Sequence, residues 1–215
     1  MKFDFSNEIK VEDNIFMAWG NNADAYVWYN TAQENLYTAK ILQENHRYAH
    51  AVFFLQQCVE CLVKGIFLET GLVLQPKDIS HKPEKVFIRL YEKVGDMVHK
   101  ENCEKINKAL NDRKIVKFED KVTYFIGVVN DATSQYEKLK FSYPIIAGYS
   151  YVQNVLFCFS KLFEETQQNT RYPMNGEKIM LPSEVYKNPI IEQKMPSLIS
   201  ILEYIVSIIL EHNKV

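Results

Sequence analysis

Gln56-Gln57-Cys58-Val59-Glu60-Cys61-Leu62-Val63-Lys64 is the stretch on which the fold turns. It lies inside an apolar run, Tyr48 to Leu68, that reads as a buried helix. Residues three and four apart share a helix face. Gln56 or Gln57, Glu60 and Lys64 therefore form one polar stripe, with Glu60 placed to pair with Lys64. An unpaired charge is costly to bury, so such a stripe either pairs internally or lines a cleft.

Upstream, a first helix begins at Ala23, with Tyr29, Ala32, Leu36, Ala39 and Leu42 on one apolar face. Residues 1–21 show no periodicity and are expected to form an irregular arm. The polar run Gln43 to His46 marks a turn, and the second helix runs from there to Thr70, with Gly71 as its C-cap. Downstream, Ser80 caps a third helix whose first turn holds His81, Lys82, Pro83 and Glu84 and which ends near Gly95. A short polar helix over 101–112 and a long one from Phe118 to Leu139 follow. Pro144 interrupts, and a further helix covers about Ala147 to Gln168. Residues 169–189 carry loop chemistry, including Pro173, Gly176, Pro182 and Pro189. The last helix runs from about Lys194 to His212, with Pro196 in its first turn. No segment alternates with period two, so residues 22–215 are predicted to fold as an all-α bundle.

Composition narrows the class. The 215 residues are 47% apolar and 13% aromatic with seven Gly and seven Pro, which argues against disorder and against a turn-dense β fold. A net charge of −2 gives no global push toward nucleic acid. The start, Met1-Lys2-Phe3-Asp4, lacks the apolar block of a signal peptide. Leu198 to Leu210 is interrupted by Ser200, Glu203 and Ser207 and is too short to cross a bilayer, so no membrane partner is expected. Four scattered cysteines fit reduced thiols and a cytoplasmic location.

Several patterns that could carry chemistry have simpler readings. Cys58 and Cys61 form a CxxC without a second pair and lie mid-helix, as small core residues do. His46 and His50 are four apart, hence on one helix face, but lack a third ligand. No metal and no cofactor is expected. Neither a glycine-rich phosphate loop nor a GxSxG elbow occurs. Arg171, one of four arginines, stands beside Tyr172 in a loop, a pairing that suits phosphate and base recognition or a structural tie to Glu60. His81 is the candidate proton donor, or a local cap.

Together these pieces resemble the HEPN family, the higher-eukaryote and prokaryote nucleotide-binding domain. Trp28-Tyr29, Ala32, Leu36 and Ala39 match its first helix, and Arg47 to Lys64, with Gln-Gln, Glu and Lys at these offsets, its second. His81 falls where the family often opens the next helix, and Arg171-Tyr172-Pro173 resembles the Arg-Tyr-Pro before its last. The resemblance implies an up-and-down helical bundle, often a homodimer, that binds nucleotide or RNA or cuts RNA. It also implies toxin–antitoxin or defence settings, frequently beside a nucleotidyltransferase. On it, Gln57, Glu60, Lys64, Arg171 and Tyr172 bind ligand, and His81 with Arg171 is the catalytic pair. Nuclease members carry Arg and His separated by four to six residues, and this chain does not: after Arg171 the next histidine is His212, and only two residues separate Arg47 from His50. A non-catalytic interaction module and a ribonuclease with a displaced histidine are the alternatives. The long stretch between His81 and Arg171 implies one or two added helices at about 100–145.

Overall fold

In a computed structural model, residues 23–69, 83–94, 96–164, 166, 170 and 181–212 are described. They form eight helices and no strand: α1 Ala23–Glu44, α2 Tyr48–Glu69, α3 Glu84–Val94, α4 Met97–Asp112, α5 Phe118–Leu139, α6 Pro144–Leu162, α7 Pro182–Val185 and α8 Pro189–His212. The expected all-α bundle is what the chain builds. The N-terminal arm lies outside the described residues.

α1 and α2 form the tightest pair, an antiparallel hairpin. Its register is fixed by three side-chain contacts: Tyr29 with Glu69, Asn35 with Cys61, and Trp28 with Lys64. The hairpin closes through a left-handed residue, His46 at φ 57°. The Arg47 N–H donates to the Leu42 carbonyl at 2.8 Å and the His46 N–H to Gln43 at 2.9 Å, the pattern of a Schellman cap. α4 ends the same way, with Lys114 at φ 52° and Ile115 N–H donating to Leu110 at 3.0 Å. Neither stop is a glycine.

α2 and α6 are the central helices. Seventeen of the 22 residues of α2 are buried, as is every residue from Ala147 to Ser160 in α6. An all-round apolar surface needs neighbours on several sides: α2 packs against α1, α6, α7 and α8, and α6 against α3, α4 and α5 as well. Aromatic edges link the layers, with Phe87 of α3 meeting Phe67 of α2 and Phe157 of α6. Gly65 of α2 is required by this packing. A Cβ there would clash with the edge of the Tyr29 ring, which is itself fully buried.

The short α7 lies within the stretch expected as loop, α3 begins at Glu84 after Pro83, and three further boundaries shift through a prolyl or capping effect. Pro144 opens α6 rather than merely interrupting the chain, because proline suits the first helical turn. α8 starts at Pro189, not near Lys194: the Asn188 side chain accepts from the Ile190 N–H at 2.9 Å and caps the helix five residues early, which leaves Pro196 inside it. α4 starts at Met97 because Asp96 caps it by accepting from the His99 N–H at 3.2 Å. The longer α8 changes one further reading. Both α2 and α8 are long and apolar enough to cross a membrane on length and composition, although 78% of the α2 window is buried by protein.

Candidate functional site

The polar stripe of α2 pairs with itself. Lys64 Nζ lies 2.6 Å from Glu60 Oε1, with side-chain exposures of 12% and 7%. The i, i+4 spacing brings the two onto one face, and Trp28 of α1 covers them, its ring centre 4.9 Å from Lys64 Nζ. Trp28 belongs to this centre, although only its neighbour's helical phase was legible in the sequence. Gln57, three residues before Glu60, is half-buried. Gln56 is buried and adjoins a small cavity with Glu60, Glu84 and Ser160, bounded by Val59, Pro83 and Phe163. The space is about 10 Å³, room for about one water. Among the described residues the Gln56 Oε1 and Ser160 Oγ atoms, both buried, have no hydrogen-bond partner.

His81, Arg171 and Tyr172 lie outside the described residues. The residues nearest to Arg171 in sequence are ordered inward: Thr166 and Thr170 are both buried, and Thr170 donates through N–H and Oγ1 to the Thr166 carbonyl at 2.9 and 2.8 Å.

The metal-like patterns resolve as structure. Cys58 and Cys61 are buried free thiols. Burial raises both, and Cys61, which accepts weakly from Asn35 at 3.9 Å, is pushed up to about 11. His46 and His50 do not share a helix face, because His46 occupies the left-handed stop after α1 and precedes α2. Its Nδ1 is 3.0 Å from the Tyr48 hydroxyl. Among the described residues no three His, Cys, Asp or Glu side chains gather to hold a metal.

A second buried polar centre was not foreseen. His99 Nδ1 lies 2.7 Å from Asp96 Oδ2, both nearly fully buried. The imidazole packs between Tyr91, at 5.3 Å, and Tyr149, at 5.9 Å, and Tyr91 donates to Gln153 at 2.7 Å. Burial by itself would raise the Asp96 carboxyl, but the hydrogen bonds and charge from His99 outweigh it and hold the group below its ordinary value. The only signal in the sequence was a capping Asp three residues before a His at the head of a polar helix.

Compared with models of known families, the chain matches the HEPN domain over residues 25–140, which spans α1 to α5. Neither the curated proteins nor the solved structures compared with it give a significant match.

Proposed function

The chain belongs to the HEPN domain family, and we propose that it binds a nucleotide or an RNA in a cleft walled by α2, as a cytoplasmic homodimer in a toxin–antitoxin or defence setting. The observation that carries the reading is the Glu60–Lys64 pair under Trp28: a charged pair kept on a core helix beside a polar cavity. On this reading Arg171 supplies the phosphate contact and Tyr172 the stacking contact. Gln57 hydrogen-bonds the ligand, Glu60 orients Lys64 or Arg171, and His81 is the group for acid or base work. A nucleotidyltransferase is the proposed protein partner.

Calorimetry with ATP, GTP and a short single-stranded RNA tests this on wild type, Lys64→Ala and Arg171→Ala. Binding by wild type that weakens at least about tenfold in both variants supports the cleft, since a phosphate contact to a cation is of that order. Equal binding by all three removes it. The same RNA incubated with wild type and His81→Ala reads cleavage, and light scattering reads the dimer.

One observation favours a second reading. Lys64 is already neutralised by Glu60 and covered by Trp28, as in a closed structural network. In a non-catalytic interaction module, Glu60→Gln lowers the melting temperature and no ligand heat is found.

A further inference from the structure

We propose that the other end of α2 holds a separate phosphate-binding pocket, a site beyond the cleft above. A cavity of about 400 Å³ opens between the α1–α2 turn, α7 and the start of α8. Its wall carries His46 and Arg47 from the turn, His50 from the start of α2, Ser183 from α7, Lys187 from the α7–α8 link and Glu192 from α8. Two segments far apart in sequence, 46–50 and 183–192, thus bring cations and donors to one concavity. The pocket is about 25 Å along α2 from Lys64, at 1.5 Å per residue.

Among the described residues, the cations of this pocket are not consumed by internal pairing, unlike several lysines elsewhere. Lys40, Lys64, Lys100, Lys140 and Lys161 each lie within 3.0 Å of a glutamate. Arg47 and Lys187 are exposed, and among the described residues neither has a carboxylate partner. The first turn of α2, whose Tyr48, Ala49 and His50 line the cavity, holds no acidic residue, and its first N–H groups have no intrahelical acceptor. The one carboxylate in the wall, Glu192, leaves two fixed cations against one fixed anion. A guanidinium fork, an ammonium, two imidazoles, a hydroxyl and free backbone N–H groups make a donor-rich set that matches the oxygens of a phosphate. The volume exceeds a bare phosphate and falls in the range of small-ligand sites, about 300–1,000 Å³. The ligand class is a phosphate ester larger than bare phosphate, of which a free nucleotide and a nucleotide of an RNA are the forms tested.

The test titrates ATP, a 5′-phosphorylated RNA 12-mer and the same RNA with a 5′-hydroxyl. The proteins are wild type, Arg47→Ala, Lys187→Ala, the double variant and Glu192→Gln, each at two salt concentrations. We expect the double variant to lose at least about tenfold and the log–log salt slope to fall by about 1 per cation removed. Glu192→Gln tightens binding, which reads the pocket without removing any contact. Circular dichroism melting shows that the exposed-site variants remain folded. Selective binding of ATP, of the 5′-phosphate or of both RNAs identifies the source of the phosphate, and each supports the pocket when the double variant loses it. The proposal is overturned if wild type binds none of the three probes, or if the double variant binds as wild type does. Binding that survives Arg47 and Lys187 removal but fails in Lys64→Ala and Arg171→Ala overturns this pocket and leaves the cleft. The opposite pattern overturns the cleft and leaves the pocket.

Discussion

In its C-terminal half, α2 presents charge only in company: Lys64 is held by Glu60 and roofed by Trp28, and Tyr29 donates to buried Glu69. At its N-terminal end, Arg47 and His50 face open space around a cavity. The first arrangement follows from burial, which makes an unpaired charge expensive and so selects a partner one turn away. The second follows from a helix start, whose first N–H groups have no intrahelical acceptor, beside exposed side chains. Polar residues on one helix thus serve two ends, specificity of packing in one half and availability to a ligand at the other.

The most direct way to break this contrast is Glu60→Gln. Stranding Lys64 in its nearly closed site should cost about 3 kcal/mol in urea unfolding; a loss below about 1 kcal/mol would mean that water already serves the pair, as at an ordinary surface. Gly65→Ala probes the same half without touching charge. The added methyl meets the immobile Tyr29 ring, and we expect a loss of about 2 kcal/mol with an unchanged m-value. Asp96→Asn extends the comparison to the other buried pair, at about 1.5 kcal/mol near neutral pH. Because the folded Asp96 carboxyl lies below its unfolded value, its contribution is present above the ordinary carboxylate range and is lost as pH falls below about 4. The Asn variant should therefore show a flatter acid limb in melting temperature against pH, and an identical limb would refute the assignment. The smallest effect belongs to the open end: Arg47→Ala and Lys187→Ala should each change stability by no more than about 0.5 kcal/mol. A larger change in thermal melting would place those side chains in the structural class with Lys64.

The sequence carried the seven long helices, though not the short α7, and the internal pairing on α2, because both depend on local spacing. Glu60 and Lys64 had to meet if residues 48–69 were helical. What escaped depended on which of two local signals wins. Asn188 caps α8 before two prolines, and Pro196 is tolerated within the helix because burial of Ile191, Met195, Leu198 and Ile199 outweighs its missing donor. His46 reads as an α2 residue until α1 is seen to stop in a left-handed turn there. The burial of the Asp96–His99 pair and the cavity at the α2 N-terminus escaped for another reason. Each needs segments brought together by tertiary packing, α6 over α4 in the first case and α7 against α2 in the second. Proximity in space between residues 47 and 187 has no periodicity to betray it.

The three-residue link between α1 and α2 bears on how the chain emerges from the ribosome. The most hydrophobic long helix of its first half would be a hazard if it left the exit tunnel alone. Because α1 is translated first and needs only a tight reversal to fold back, one flank of α2 finds its cover as soon as Glu69 clears the tunnel. The later helices then add to a hairpin that is already shielded on that side.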